Sequence, residues 1–211
     1  MKTRTEGKLA EYLSSTFVGN DPFAHVRAEG ETRHPGMQVS PYEAHLLAWL
    51  VTISGAKRIL EVGTFMGYST LYMASAMPKN GSVITLEKSE ENAKIAAAHV
   101  AQDKRIEVVC TDALAWIQNY SGAPFDMIFL DAEKRQYPAY LEAALSHLSP
   151  NAWVLADNSL LWGAVSGDDP KAASKEATEA MRAFNALLAD KTKFDGVLLT
   201  TPEGLTVARR R

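Results

Sequence analysis

The sequence predicts an α/β fold: a doubly wound sheet of seven strands, mostly parallel, with a C-terminal antiparallel hairpin and helices on both faces. Three observations predict it. Five short apolar runs recur at RILEV (58–62), SVITL (82–86), IEVV (106–109), DMIFL (126–130) and AWVLA (152–156). The stretches between them carry helical spacing, and such alternation builds a parallel sheet with covered faces. Near the end, VLLT (197–200) and LTVA (205–208) flank the turn TPEG, which reads as a tight hairpin at the sheet edge.

Residues 6–17 and 41–53 precede the first strand and look helical; Ala44, Leu47, Ala48 and Val51 share a face. Between them, HVRAEGETRHPGMQVS (25–40) has no period and is a candidate mobile loop or lid. Ser69 and Ser89 are placed to cap the helices after strands one and two. Tyr137, Tyr140, Leu141, Ala144, Leu145 and Leu148 recur at three and four residues, so they line one helical face after strand four. Ala177, Ala180, Met181, Phe184, Leu187 and Leu188 do the same later, with Ser174 as N-cap. No repeat, low-complexity tract or linker interrupts the pattern. The 211 residues therefore read as one domain, with N-terminal helices and lid at 1–55 and a Rossmann-like core at 56–211.

Composition narrows the class. The chain is 46% hydrophobic and 22% charged with a net charge of -3, so no bulk positive field draws it to nucleic acid or anionic membrane. The Arg209-Arg210-Arg211 end is a local exception and reads as a solvated tail. No apolar run approaches the ~20 residues that span a bilayer. MKTRTEGKLAEYL has no apolar core of a secretory signal, so the cytoplasm is the expected address. The single cysteine, Cys110, excludes an intrachain disulfide and a multi-cysteine zinc site, and ends an apolar run as a small buried hydrophobe. The five histidines (His25, His34, His45, His99, His147) show no metal spacing.

Ligands of open α/β sheets collect beyond the carboxyl ends of the strands, so the residues there carry the functional reading. Strand one runs into EVGTFMGYS, with Glu61, Gly63 and Gly67 before Ser69. The glycines allow a tight turn and close backbone approach, but G-x-x-x-G is neither the dinucleotide fingerprint nor a P-loop. Glu87 follows strand two, twenty residues past Gly67, where a carboxylate can accept from both hydroxyls of a ribose. Thr111-Asp112-Ala113 follows strand three, positioned to meet an adenine amino group, although helix capping explains Asp112 alone. These features describe a pocket for an adenosine-bearing ligand without a phosphate cradle. Glu61 at the glycine turn suits positive charge on that ligand, and S-adenosylmethionine (SAM) carries both an ammonium and a sulfonium.

Asp131-Ala132-Glu133-Lys134 follows strand four and Asp157-Asn158 follows strand five. Those strands should be neighbours, so Asp131, Asp157 and Asn158 can converge. Three hard oxygen donors without His or Cys suit Mg²⁺ or Ca²⁺ rather than zinc. Lys134, three residues past Asp131, can act beside that ion.

ILEVGTFMGYST, FDMIFLDAEKRQYPAY and LADNSLLWGAV, in this order, resemble the metal-dependent class I SAM O-methyltransferases of the catechol and caffeoyl-CoA type, from about Met37 to Ala208. The resemblance implies that Asp131, Asp157 and Asn158 ligate Mg²⁺ or another divalent cation such as Ca²⁺ or Mn²⁺, and that Lys134 is the catalytic lysine, with Asp131 beside it. It makes Glu87 the ribose partner. It places Glu61, Gly63, Thr64 and Ser69 at the methionine end of the cofactor, Met37, Val39 and Ser40 over it, and Asp112, Ala113 and Asp131 in the same binding set. Trp162 reads either as a wall against a flat substrate or as core. Asn151-Ala152 replaces a glycine pair common in the family, and Glu203-Gly204 replaces Asp-Gly in the hairpin. The implied activity is methylation of a hydroxyl on a small aromatic substrate by a homodimer. The alternative is methylation of a hydroxylated uridine in tRNA, with Arg33, His34 and the C-terminal arginines on phosphates. A cofactor-binding protein without catalysis is a third reading, which the complete ligand set and Lys134 disfavour.

Overall fold

A computed structural model describes residues 8–201 and 203–211. The charged segment before Lys8, the first two residues of the predicted 6–17 helix and Pro202 of the hairpin turn lie outside the described residues. The helices are α1 (Lys8–Leu13), α2 (Ala24–Arg33), α3 (Pro41–Ser54), α4 (Tyr68–Ala76), α5 (Glu90–Val100), α6 (Ala113–Gln118), α7 (Tyr137–Ala144) and α8 (Lys175–Ala189). The strands are β1 (Arg58–Val62), β2 (Ser82–Glu87), β3 (Ile106–Cys110), β4 (Phe125–Leu130), β5 (Leu148–Ala156), β6 (Phe194–Leu199) and β7 (Leu205–Arg210). They form one seven-stranded sheet of order β3-β2-β1-β4-β5-β7-β6, with β7 antiparallel to both β5 and β6. The expected fold class is therefore the observed one. No helix among the described residues is long and apolar enough to cross a membrane.

Two compact units can be distinguished: residues up to Arg58 with Thr64–Cys110, and Ile59–Gly63 with Thr111–Arg211. In the first, α3 packs on α4 and α5 covers β2 and β3. Helix α3 starts because Ser40 accepts from the Glu43 amide at 3.2 Å with Pro41 in the first turn, and it stops at left-handed Gly55. It buries Ala44, Leu47, Leu50 and Val51. Asp21 pins the chain before α2 onto α4, accepting from the Tyr68 and Tyr72 hydroxyls at 2.6 and 3.0 Å.

The second unit holds the parallel strands β1, β4 and β5 and the terminal hairpin. Helix α8 has the predicted Ser174 cap, accepting from the Ala177 amide at 3.2 Å, and buries Met181, Phe184 and Leu188.

Several expectations need correction. The aperiodic 25–40 segment is helical as far as Arg33. Helix α2 escaped the pattern because it buries only Val26 and Gly30; its other side carries the i,i+4 pairs Arg27–Glu31 (3.4 Å) and Glu29–Arg33 (3.1 Å). Ser69 is not a cap: α4 starts one residue earlier, after left-handed Gly67. Cys110 is exposed, because it ends β3, the outermost strand, whose side chains are only partly covered. Leu148 opens β5 instead of closing a helix. The C-terminal arginines are solvated at Arg209 and Arg211 as expected, but they are not a free tail. Arg209 reaches Asn151 Oδ1 (2.8 Å), Arg210 reaches the Leu145 and Leu148 carbonyls (2.8 and 3.0 Å), and Arg211 pairs with Asp195.

Burial, chiefly, pushes the Tyr72 and Tyr140 phenols up to about 12 and those of Tyr68 and Tyr137 in the same direction. An unfolded phenol ionises near pH 10, so the folded chain keeps these protons after the unfolded chain has released them. Their contribution to stability is complete below about pH 10 and is lost as pH rises through about 12. Alkaline titration followed by phenolate absorbance should show these four ionising late or together with unfolding; ionisation of all four near pH 10 in the folded protein would contradict this.

Candidate active site

The carboxyl ends of β4 and β5 stand level. Leu130 pairs with Ala156 in parallel register, and Asp131 and Asp157 each follow by one residue. Their amides continue the ladder, Asp131 N–H to the Val62 carbonyl (2.8 Å) and Asp157 N–H to the Leu130 carbonyl (3.0 Å). The Asp157 side chain is 1% exposed, and its Oδ1 accepts from the Asn158 amide at 2.6 Å. Asn158 lies in the left-handed region (φ 59°), which Asn tolerates, within the turn that follows β5. Its side chain is 2% exposed, and Nδ2 makes no hydrogen bond among the described residues. A buried N–H of that kind needs an acceptor, whereas the carbonyl oxygen of the same side chain is the atom a cation would take.

Lys134 Nζ lies 2.8 Å from Asp131 Oδ1 and 2.9 Å from the Tyr137 hydroxyl. Tyr137 is fully buried, and its hydroxyl also lies 2.8 Å from the Leu130 carbonyl and 3.2 Å from that of Asp157. Burial, then the Asp131 and Asp157 charges, holds this phenol well above its ordinary range. The sequence marked Tyr137 only as a helix-face residue; its position three residues after Lys134 was the signal that connected them.

Two carboxylates and a buried amide form the oxygen-rich donor set that a hard divalent cation takes. Among the described residues, no three His, Cys, Asp or Glu side chains cluster as ligands, so an ion here depends on the Asn158 amide as its third donor. Glu61, on β1, is fully buried. Gly63 follows at φ 101°, and a Cβ there would collide with the Asp131 carbonyl oxygen. Close backbone approach, expected for a ligand, is here already required by β4. Trp162 also has positive φ (52°), and its buried Nε1 makes no hydrogen bond among the described residues.

In the other unit, each residue between the two glycines has its own anchor. Thr64 Oγ1 bonds Thr85 Oγ1 at 2.6 Å, the Phe65 amide donates to Glu87 Oε2 at 2.8 Å, and the Met66 carbonyl lies 2.9 Å from His99 Nδ1. Glu87 Oε1 accepts from the Ser89 amide at 2.8 Å, and Ser89 caps α5 as predicted. The Glu87 carboxylate is thus oriented by two backbone amides, with lone pairs remaining for hydroxyl donors. His99 Nε2 lies 3.0 Å from Glu29, linking the turn to α2; nothing in the sequence pattern marked His99 or Thr85.

The other predicted cofactor residues are more dispersed in character. Met37 is 49% exposed, Val39 is buried in the core, and the Ser40 hydroxyl is engaged as the α3 cap. Ser69 is buried on α4. Asp112 caps α6 through the Ala115 amide at 3.1 Å, and Ala113 begins that helix. Arg33, a candidate phosphate contact, is paired with Glu29 and Glu91, and the His34 ring lies tilted against Phe65 with centroids 5.8 Å apart.

Residues 24–211 match the family model described as O-methyltransferase. The chain is 35% identical over 182 residues to a catechol O-methyltransferase of Niastella koreensis, covering 83% of this chain and 81% of that protein. It is similar to the crystal structure of an O-methyltransferase from Bacillus cereus in complex with SAH (TM-score 0.88, 31% identity, all of both chains). It is also similar to TomG from Streptomyces achromogenes, involved in tomaymycin synthesis and solved with SAM (TM-score 0.85, 30% identity, 100% and 99% covered).

Gly63→Ala should destabilise the fold by about 2–4 kcal/mol, through positive φ and the collision with the Asp131 carbonyl. Denaturant melts of the variant and the parent measure this directly, and equal midpoints would refute it.

Proposed function

The chain belongs to the O-methyltransferase family and is a SAM-dependent enzyme, and from that premise we propose that it methylates one hydroxyl of a catechol-like or caffeoyl-like aromatic with the aid of Mg²⁺ or a similar divalent cation. The observation that carries this reading is the level placement of Asp131 and Asp157 on paired strands, with the buried Asn158 amide beside them and Lys134 at 2.8 Å from Asp131.

Methyl transfer from a sulfonium is an in-line displacement, so the acceptor oxygen must be held in near-attack geometry. A phenolic hydroxyl with pKa near 10 is a poor nucleophile at neutral pH. A divalent cation held by Asp131, Asp157 and Asn158 would favour the oxyanion and orient two adjacent oxygens. Lys134 spends two of its three N–H donors on Asp131 and Tyr137, which leaves one for the acceptor oxygen. Trp162 would wall a flat ring. For SAM, Glu87 would accept from the ribose hydroxyls and Glu61 would balance positive charge, with Gly63, Thr64 and Ser69 at the methionine end. Asp112, Ala113 and Asp131 complete that set, and Met37, Val39 and Ser40 cover it.

A homodimer belongs to the same reading: Tyr12, Phe17, Trp49 and Ile53 expose large apolar side chains that a second copy would cover. A cytoplasmic setting suits the lone, exposed Cys110. The tRNA alternative gains no support from the cations assigned to it, since Arg33 and the C-terminal arginines are engaged within the protein.

Assays of catechols and of tRNA, each with and without Mg²⁺, test the proposal. Catechol methylation should stop with excess chelator, and Asp157→Ala should lower it about 100-fold or more while SAM affinity by calorimetry stays within about threefold. Undiminished turnover in chelator would end the metal role. Glu87→Ala should weaken SAM binding about tenfold or more, through lost charge-assisted hydrogen bonds; an unchanged calorimetric Kd would remove Glu87 from the cofactor set.

A further inference from the structure

We propose that Tyr137 is a positioning residue whose buried hydroxyl fixes the Lys134 amino group against Asp131 and ties together the ends of β4 and β5. This rests on the reading of Lys134 and Asp131 as reaction residues, and it assigns a role to a side chain that is fully buried.

The argument is one of hydrogen-bond polarity. A phenol has one proton to donate and lone pairs to accept with. Two neighbours of the Tyr137 oxygen, the carbonyls of Leu130 (2.8 Å) and Asp157 (3.2 Å), can only accept. The phenolic proton is therefore committed to the backbone, and a lone pair is left facing Lys134 Nζ at 2.9 Å. The direction of the chain is fixed: lysine N–H to tyrosine oxygen, tyrosine O–H to strand-end carbonyl. The ring has little freedom to leave this arrangement. Tyr137 is fully buried as the first residue of α7, and Phe184 of α8 packs edge-on against it with centroids 5.3 Å apart.

Lysine carries its charge on a long, flexible stem. Asp131 alone would give Nζ one anchor and leave it free to pivot about that contact. A second acceptor at nearly the same distance defines the direction of the remaining N–H. The two carbonyls that hold the phenol belong to Leu130, just before Asp131, and to Asp157 itself. One hydroxyl thereby registers the lysine to the same strand ends that carry the carboxylates.

Tyr137→Phe removes only the hydroxyl, and the Leu130 carbonyl keeps the Asp157 amide as a partner, so the core stays filled. The first readout needs no activity: acetylation of Lys134 by acetic anhydride, followed by peptide mass spectrometry. It should quicken about fivefold or more in the variant, while exposed Lys94 and Lys175 are unaffected. The second is a double-mutant cycle on catechol methylation with Lys134→Ala. Tyr137→Phe alone should lower kcat about tenfold with KM and SAM Kd within about threefold, and should add less than about twofold to Lys134→Ala. Unchanged Lys134 labelling, or losses in kcat that add, would overturn the proposal. If the parent protein does not methylate catechols, the proposed function fails and the labelling still decides the role of Tyr137. Should Tyr137→Phe not fold, 4-aminophenylalanine at 137 keeps donors for both carbonyls while offering Lys134 a poorer acceptor, and faster Lys134 labelling is again expected.

Discussion

Val62 pairs with Leu130, and Leu130 with Ala156, so three parallel strands end in matched register. The next amides, those of Asp131 and Asp157, donate back across the ladder and carry it one step beyond the strands. Everything at this end of the sheet follows from that alignment. A slip of one residue would turn each side chain to the opposite face, and the two carboxylates would no longer stand level. The buried strands tolerate no such slip, because Ile128, Phe129, Leu130, Val154, Leu155 and Ala156 are fully enclosed.

The glycine turn obeys a different constraint. Its two glycines are needed for positive φ, at 101° for Gly63 and 84° for Gly67, and Gly63 also passes close to the Asp131 carbonyl. Between them, Thr64, Phe65 and Met66 are tied to Thr85, Glu87 and His99, from β2 and α5. Phe65 accepts a strained φ of 50° within this arrangement. A turn whose residues 64–66 are each anchored presents its backbone at fixed positions.

These arrangements are expensive. Glu61 and Asp157 are enclosed carboxylates at 0% and 1% exposure, and removing such a charge from water costs several kcal/mol before pairing offsets it. Asn158, Leu161 and Trp162 all have positive φ within five residues. That segment persists because its surroundings determine it. The Ser159 amide donates to the Gly204 carbonyl (2.8 Å), Asn185 Nδ2 donates to the Ser159 carbonyl (2.8 Å), and Arg182 reaches the carbonyls of Val165 (3.0 Å) and Ala164 (3.3 Å). Helix α8 and the hairpin thus act as supports for the loop that follows β5.

The sequence by itself determined the alternation of strands and helices, the terminal hairpin, the pairing of strands four and five, and the polar residues at their carboxyl ends. Those features are local: apolar runs, caps such as Ser89 and Ser174, and chain order. It misjudged α2, which buries only Val26 and Gly30 and carries ion pairs Arg27–Glu31 and Glu29–Arg33 instead of an apolar stripe, and Cys110, whose exposure depends on β3 being outermost. Only the tertiary structure decided that Tyr137 is bonded to two strand-end carbonyls and to Lys134, that Glu87 is oriented by the Phe65 and Ser89 amides, and that His99 joins the glycine turn to α2. The physical reason is that a hydrogen bond depends on distance and direction in space. Residues 70 positions apart, as Glu29 and His99 are, leave no periodic trace in the chain that folds them together.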